Sequence, residues 1–198
     1  MKKRHLDELT KGIFKNITKP FIDNIDISRS RTHELSELHY FSEIKKLISQ
    51  ISGGEFIEEE DVRFKPTGTD IYLDFSMVSS STKSIYLIEK IIKHELKPGS
   101  IIIIDEPELN LHLDNQVLMA RLLATLVNSE ITVVITTHSD HMLREINNLI
   151  MLGSGNIEEE DQQELMSEFD IDKSCLLTSE QVSAYVVSSR EKKVFPAV

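Results

Sequence analysis

The sequence predicts an α/β fold with two parallel strands, joined by a helix, at its centre. Two short apolar runs, at residues 101–104 and from Ile131, have the length and β-branched composition of buried strands. Between them, residues 114–127 carry apolar side chains every three or four positions, as in an amphipathic helix. This order gives a βαβ unit, whose parallel strands are expected to be buried on both faces.

Composition limits the class of protein. The chain has 198 residues, of which 40% are hydrophobic and 28% are charged, as in an ordinary globular domain with a hydrophobic core. It lacks an apolar run of the ~20 residues that a membrane span requires, and the basic N-terminus lacks the apolar part of a signal peptide. Because Cys175 is the single cysteine, we expect a reducing cytoplasm. The net charge of −11 argues against sequence-independent DNA binding by the whole surface, so we expect any contact with nucleic acid to be indirect. The alternative is a small basic patch at Lys2–Arg4 with Lys11 and Lys15, which is also what the solvated face of a helix would show.

Apolar periodicity predicts three helices ahead of the first central strand. They cover about residues 3–17, 32–51 and 84–96. Gly53 and Gly54 directly follow the second of these helices, as expected of residues that end a helix. The N-terminal part of the chain is therefore predicted to be mainly helical.

A β-hairpin is predicted between the second and third helices, because apolar residues alternate on both sides of the turn segment KPTGTD at 65–70. After the second central strand, residues 140–149 predict another helix. An acidic stretch follows, and then the segment VSAYVVSS predicts a short strand. This pattern divides the chain into a helical segment (1–54), a central part (55–152) and an acidic tail (153–198).

Polar side chains gather at the carboxyl ends of the two central strands. Asp105 and Glu106 follow the first strand, and His138 follows the second. Since ligands bind at this edge of parallel sheets, the topology brings all three side chains to one place. The adjacent carboxylates repel each other and have no Lys or Arg nearby in the sequence, so we expect a divalent cation with a polyphosphate to compensate their charge.

A strand that ends in Asp-Glu is the Walker B arrangement of nucleotide hydrolases. Asp105 then holds Mg²⁺, directly or through water, because hard cations prefer oxygen ligands. Glu106 positions or deprotonates the water that attacks the γ-phosphate, and His138 hydrogen-bonds that phosphate. The alternatives are that the acidic pair only opens a loop fixed by Pro107, and that His138 is an ordinary polar residue near a strand end.

The segments IIIIDEPELNLHLDNQ and ITTHSDHMLREINNLI together resemble the C-terminal part of ABC-type ATPases of the OLD, Rad50 and SMC kind. The likeness covers about residues 55–152 and is greatest to bacterial AAA-domain ATP-binding proteins, many of them from phage-defence loci. It implies the core of a P-loop NTPase with a helical signature subdomain. By the same likeness Asp105 is the Mg²⁺ ligand, Glu106 the catalytic base and His138 the switch histidine.

The resemblance implies two further motifs. The segment from Asn110 to Asp114 corresponds to the D-loop, which communicates across a dimer interface. The segment SMVSSSTKS corresponds to the signature motif, with Ser79 as the best match and Ser80 next, and it meets the γ-phosphate bound by the other subunit. The chain departs from the family at Ser81, where a glycine is expected and a Cβ now stands in the way of the phosphate. The alternative is that these serines only cap the following helix.

The sequence lacks the first half of a nucleotide site. A P-loop requires G-x-x-x-x-G-K-[ST], so that backbone N–H groups and a lysine surround the phosphates, and none of the seven glycines lies in such a segment. Three explanations are open: a piece of a longer ATPase, one half of a split ATPase, or a non-hydrolysing module. We therefore do not expect the chain alone to bind ATP tightly.

The function expected from the resemblance is a contribution to Mg-ATP binding and hydrolysis by an ABC-type dimeric ATPase in phage defence or DNA maintenance. The dimer is either a homodimer or a complex with a P-loop-bearing partner chain, and hydrolysis drives an attached nuclease or other effector. The alternative is a catalytically silent oligomerisation or regulatory module with the same fold.

A second acidic cluster suggests another metal site. Glu168, Asp170 and Asp172 alternate along the chain, as in the Toprim-like nuclease site that OLD proteins carry. Such a site needs a further glutamate on an apolar strand upstream, and the sequence has none that fits. A solvated acidic loop is therefore the expectation.

Overall fold

The computed structural model of the protein describes residues 38–188 and 193–196. The helix predicted at 3–17 and the first residues of the helix predicted at 32–51 lie outside these ranges. The described residues contain five α-helices and seven short strands, and the predicted α/β class is confirmed.

The N-terminal described part is a helix followed by a small antiparallel sheet. Helix α1 (Phe41–Ser52) ends at Gly53, whose φ of 73° lies in the left-handed region that glycine adopts without strain. Three strands follow in the order β1 (Gly54–Glu58), β2 (Val62–Pro66) and β3 (Leu73–Asp74).

The structure therefore has three strands where the sequence predicted a hairpin of two. The missed turn lies between β1 and β2, at residues 59–61, where the acidic sequence carries no glycine or proline signal. An ion pair between Arg63 and Glu59 accompanies this turn, and Phe56 pairs with Phe64 in the register of the two strands.

Helix α2 (Ser80–His94) begins four residues before the predicted start at Ser84. Ser79 is its N-cap residue, and the Ser79 hydroxyl accepts a hydrogen bond of 3.1 Å from the backbone N–H of Thr82. The prediction began the helix too late because it relied on apolar periodicity, whereas a polar serine run at a helix N-terminus is favoured by capping.

The central βαβ unit has the predicted topology. Strands β4 (Ile101–Asp105) and β5 (Thr132–Thr136) are parallel, helix α3 (Leu113–Asn128) joins them, and helix α4 (Asp140–Gly153) follows. In the register of the strands, Asp105 lies opposite Thr136. The carboxyl ends of the two strands therefore meet at one edge, as expected.

One face of the β4–β5 pair is open in the described residues, which therefore do not show the predicted burial of both faces. Ile102 is buried, whereas Ile101 is 66% exposed, Ile103 is 68% exposed and Val134 is 46% exposed. Residues paired in register point to the same face, so the exposed apolar side chains and the Asp105–Thr136 pair share it. We call this surface, formed by the outward side chains of β4 and β5, the open face.

The C-terminal part packs on α3. Helix α5 (Glu159–Glu168) follows α4, and an irregular segment then leads to an antiparallel pair of strands, β6 (Tyr185–Ser188) and β7 (Lys193–Pro196). The sequence did not predict α5 because its composition is strongly acidic. Burial raises the pKa of the Cys175 thiol, which is in keeping with a packing role for this side chain.

One hydrophobic core joins the helices to the central strands. Its buried residues come from α1, α2, β4, α3 and α4, from Met166 of α5, and from the segment after α5, where Ile171, Cys175 and Leu177 contribute. The core thus crosses both predicted boundaries, at 54/55 and at 152/153, and the three-part division remains a prediction. None of the described helices is long and apolar enough to span a membrane.

Candidate functional site

Thr136 connects the two acidic residues that follow β4. Its hydroxyl donates a hydrogen bond to Asp105 Oδ1 and lies 3.2 Å from the backbone nitrogen of Glu106, which donates to it. The same Glu106 N–H also donates to the backbone oxygen of Thr136 at 3.1 Å. The end of β5 therefore fixes the backbone and the first carboxylate of the acidic pair.

Glu106 and His138 face each other at this edge. Glu106 Oε1 lies 3.7 Å from His138 Nε2, and the two side chains are 40% and 90% exposed. Glu106 has a φ of 48°, in the left-handed region, which a non-glycine residue keeps only where its surroundings enforce it. The structure thus brings together the predicted Asp105, Glu106 and His138, with both carboxyl groups open to solvent.

The carboxylates at this edge suit Mg²⁺ better than a cation whose ligands must all come from the protein. No group of three or more His, Cys, Asp or Glu among the described residues is arranged to hold a metal ion by itself. Mg²⁺ is usually bound by one or two carboxylates, with water and substrate phosphates completing its shell. The exposed carboxylate of Asp105 at the end of β4 meets that requirement.

Glu108 joins the loop after β4 to the turn after β5, and the sequence analysis missed it. Its Oε1 accepts hydrogen bonds from Thr137 Oγ1 at 2.7 Å and from the backbone nitrogen of His138 at 2.8 Å. Burial raises the pKa of this carboxyl, but the hydrogen bonds from His138, Thr137 and nearby backbone N–H groups lower it more, so its pKa lies below the usual value. Glu108 is therefore ionised at neutral pH.

Ser139 and Gln116 form a second connection between the same segments. Ser139 is the N-cap of α4, where its hydroxyl accepts from the backbone nitrogen of Met142, and it donates to Gln116 Oε1 at 2.6 Å. Gln116 Nε2 in turn donates to the backbone oxygen of Leu111 at 3.1 Å. The first turn of α3 is thereby linked to the residues that flank His138.

The two predicted D-loop residues lie on the solvent side of this edge. Asn110 is exposed and has a φ of 64°, a conformation that asparagine adopts more readily than most residues. Asp114 lies in the first turn of α3, where a negative charge favours the positive end of the helix dipole, and its Oδ2 is 3.5 Å from His112 Nδ1. Both side chains are accessible to a partner.

Ser79 and Ser80 lie at the N-terminus of α2, and their contacts are local. The Ser79 hydroxyl is 2.7 Å from that of Ser81 and 2.9 Å from that of Thr82, so it is engaged as a cap. Both Ser79 and Ser80 are exposed, whereas Ser81 is half-buried. The contacts of Ser79 are therefore those of a helix cap, as in the capping alternative. Ser79 and Ser80 both remain accessible to a ligand from outside the chain.

The residues that the sequence analysis missed had weak signals. Thr136 belongs to the cluster Thr136-Thr137-His138 that the sequence places at this edge, but it was given no role because a hydroxyl at a strand end is common. Glu108 and Gln116 act through hydrogen bonds between segments about 20 to 30 positions apart, which no local pattern reveals.

Glu168, Asp170 and Asp172 are not brought together as a group of metal ligands in the described residues. Asp172 caps a short 3₁₀ turn at Lys173–Cys175, and its Oδ1 accepts from the backbone nitrogen of Ser174 at 2.8 Å. Asp170 has a φ of 48°, and its backbone oxygen accepts a hydrogen bond from Arg121. Two of the three acidic positions thus take part in turn structure.

Comparison with known proteins identifies the family of the chain. A solved chain, from work on the structural biochemistry of ATP-driven dimerization and DNA-stimulated activation of SMC ATPases, is similar at 17% sequence identity and a TM-score of 0.47, over 78% of this chain and 81% of that chain. Among curated proteins none matches the chain significantly. The model of the AAA ATPase domain family matches residues 2–143, well over half of the chain. The chain therefore belongs to the AAA ATPase domain family.

Proposed function

We propose that the chain supplies the Walker B half of an ABC-type ATPase. Asp105 holds the Mg²⁺ of bound ATP, Glu106 is the general base, and His138 contacts the γ-phosphate. The observation that carries this proposal is the meeting of these side chains at the ends of two parallel strands, with 3.7 Å between Glu106 and His138.

The chemistry follows from the charges at this edge. Bound Mg²⁺ would neutralise part of the phosphate charge as the terminal phosphoryl group is transferred. Glu106 accepts a hydrogen bond from the attacking water and takes its proton, for which its solvent-facing carboxylate is suited. Thr136 keeps Asp105 and the Glu106 backbone in a fixed relation, so that the two carboxylates have separate roles.

The open face supports a P-loop-bearing segment as the missing half of the site. Parallel sheets normally have both faces covered, whereas here Ile101, Ile103 and Val134 are exposed. The Asp105 side chain projects from the same face. A β/α segment that covers this apolar surface would therefore reach the site, and its P-loop would supply the backbone N–H groups and lysine that this chain lacks.

The exposed D-loop and signature residues suit a dimeric mechanism. Ser79 and Ser80 at the N-terminus of α2 would contact the γ-phosphate of an ATP bound by another subunit. Asn110 and Asp114 are accessible at the start of α3 and would contact that subunit. The dimer is a homodimer or includes the P-loop-bearing partner chain. Its ATP-dependent closure would drive a nuclease or another effector in phage defence or DNA maintenance.

Glu106→Gln tests the proposal. The P-loop-bearing polypeptide encoded upstream of or beside this chain is co-expressed with it, and ATP hydrolysis and ATP affinity are measured on the complex. We expect Glu106→Gln to lower kcat by roughly 10²- to 10⁴-fold while ATP binding is retained, because the general base is lost but the phosphate contacts remain. Glu164→Gln, an exposed change on α5, is the matched control and should leave kcat unchanged.

Isothermal titration of the chain alone with Mg-ATP gives an independent test. The missing P-loop predicts no binding in the micromolar range, and micromolar affinity would contradict that account of the site. If hydrolysis by the complex is the same with Glu106→Gln as without it, the chain is a silent module and the proposal is overturned.

A further inference from the structure

We propose that Glu108 is a positioning residue that holds the His138-bearing turn against the Glu106-bearing loop. The inference rests on the proposed function, in which Glu106 and His138 act on the same phosphate group. It concerns how their relative position is maintained, which neither residue can do by itself.

Direct contact between Glu106 and His138 is too weak for that task. The pair is separated by 3.7 Å and His138 is almost fully exposed, so solvent screens any attraction between the two groups. Another interaction must therefore keep the loop at 106–112 and the turn at 137–139 in register.

Glu108 makes that interaction with one oxygen. Its Oε1 accepts from Thr137 Oγ1 and from the backbone nitrogen of His138, while its other oxygen, Oε2, is buried. Hydrogen bonds to a charged acceptor are about twice as strong as those between neutral groups. The carboxylate thus binds the backbone of His138 itself and leaves the imidazole free to contact a ligand.

The loop that carries Glu108 is itself compact. The backbone nitrogen of Leu109 donates to the oxygen of Glu106 at 2.9 Å, and that of Leu111 donates to the oxygen of Glu108 at 3.0 Å. These two turns couple the position of Glu108 to that of Glu106, which lies two residues closer to β4. A displacement of the turn at 137–139 would therefore also displace Glu106, the catalytic base.

A second set of hydrogen bonds closes the connection. Thr137 Oγ1 accepts from the backbone nitrogen of Ser139 at 3.0 Å, Ser139 donates to Gln116, and Gln116 donates to Leu111 in the loop. We call Glu108, Thr137, Ser139 and Gln116 the clamp. Because both partners of Glu108 Oε1 are donors, the clamp requires an acceptor at this position, and a glutamine would introduce a buried NH₂ group in place of one oxygen.

The clamp can be tested on the chain alone by ¹⁵N-resolved NMR. Glu108→Gln replaces a charged acceptor by a neutral one, so we expect the His138 amide proton resonance to move upfield and its hydrogen exchange to accelerate about tenfold. Amides in the middle of α3 should keep their shifts, which shows that the fold is intact. Glu164→Gln is the matched control and should leave the His138 amide unchanged.

Thr137→Val is the second variant, for the case that Glu108→Gln does not fold. It removes one donor to Glu108 Oε1 and leaves the bond from the His138 nitrogen, so a smaller change of the same sign is expected at the His138 amide. An unchanged His138 amide in both variants overturns the inference, whether or not the assembled protein hydrolyses ATP.

The assembled complex supplies the functional part of the test. Glu108→Gln should lower kcat about tenfold or more with little change in the KM for ATP, because it displaces the catalytic groups rather than the phosphate cradle. Glu108→Asp, which keeps an acceptor-only side chain, should restore part of the loss. An unchanged kcat beside a shifted His138 amide overturns the positioning role, whereas failure of Glu106→Gln alone counts against the proposed function and leaves the NMR result intact.

Discussion

Thr136 lies opposite Asp105 in the register of the two central strands, and its hydroxyl donates a hydrogen bond to the Asp105 carboxylate. The same hydroxyl accepts from the backbone nitrogen of Glu106. One side chain at the end of β5 therefore orients both acidic residues at the end of β4. This makes Thr136 part of the site although it carries no charge.

Thr136→Val should disturb the acidic pair without changing the shape of the strand. Valine is β-branched like threonine but neither donates to Asp105 nor accepts from Glu106. We expect the free energy of unfolding to fall by about 0.5–1.5 kcal/mol, measured by urea denaturation, since the hydrogen bonds lie at an exposed edge. In the assembled ATPase we expect kcat to fall roughly 10- to 100-fold from misplacement of the two carboxylates.

Thr132→Val is the matched control for that change. Thr132 stands at the other end of β5 on the same exposed face, opposite Ile101, and far from the acidic pair. It should leave kcat unchanged. If Thr132→Val and Thr136→Val have the same effect on hydrolysis, the hydroxyl at 136 has no special relation to Asp105.

The central topology and the meeting of the acidic pair with His138 could be predicted from the sequence. Two apolar runs with a periodic helix between them specify a βαβ unit, and parallel strands bring their carboxyl ends to one edge. The places of Asp105, Glu106 and His138 depend only on where the strands end, which local patterns and one topological rule determine.

The remaining features depend on relations that local patterns do not contain. Helix α5 was not predicted because its composition is acidic, although its Met166 is part of the core. The apolar run of β4 has the same sequence pattern as a strand that is buried on both faces. The sequence pattern of β4 is correct for a covered sheet, but the described residues cover only one face. Glu108 was missed because its role lies in hydrogen bonds to Thr137 and His138, far along the chain.

Ile103→Lys should weaken association with a P-loop-bearing segment without unfolding the chain. The Ile103 side chain is mostly exposed on the open face, so a lysine there remains solvated in the chain alone and changes the free energy of unfolding by less than about 1 kcal/mol. On association, the ammonium group would have to be buried in an apolar interface. We expect affinity for the co-expressed P-loop-bearing polypeptide to fall at least tenfold, measured by titration calorimetry.

Met151→Lys is the control for the open face. Met151 is another exposed apolar side chain, but it lies on α4, outside the open face. Its replacement should leave the affinity unchanged. Equal loss of affinity in both variants, or none in Ile103→Lys, would show that the partner does not bind across β4 and β5.

The buried ion pair between Arg121 and Glu145 should respond unequally to the loss of either partner. Arg121 Nε donates to Glu145 Oε1 at 2.6 Å, and its Nη1 donates to the backbone oxygens of Phe169 and Asp170, at 3.0 Å each. Arg121→Met leaves the buried Glu145 without its cation and releases the segment after α5, so we expect a loss of about 3–5 kcal/mol in the free energy of unfolding.

Glu145→Gln should cost less, about 1–3 kcal/mol, because Arg121 keeps its two carbonyl acceptors. Urea denaturation measures both values. Hydrogen exchange separates the causes, since residues 169–177 should exchange faster in Arg121→Met and much less so in Glu145→Gln. Equal destabilisation and equal exchange in the two variants would contradict the anchoring role of Arg121.

Asp172 should make the stability of the protein depend on pH in the acid range. Hydrogen bonds from the backbone and side chain of Ser174 hold the pKa of its carboxyl below the ordinary 3.8, against an opposing effect of burial and with a smaller contribution from Lys46. A folded-state pKa below the unfolded value stabilises the protein above pH 3.8, and this contribution is lost as the pH falls through the folded pKa. Because Asp172 is exposed, the contribution is under about 1 kcal/mol.

Asp172→Asn removes this titration while keeping one oxygen acceptor for the Ser174 nitrogen. The difference in the free energy of unfolding between the native protein and the variant should be constant at neutral pH and shrink towards zero in acid, where the native carboxyl is protonated as well. Carbon NMR of the Asp172 carboxyl gives a direct check, because its midpoint must lie below 3.8. A midpoint at or above that value, or a stability difference that grows in acid, would mean that the cap at Lys173–Cys175 does not depend on the ionised carboxylate.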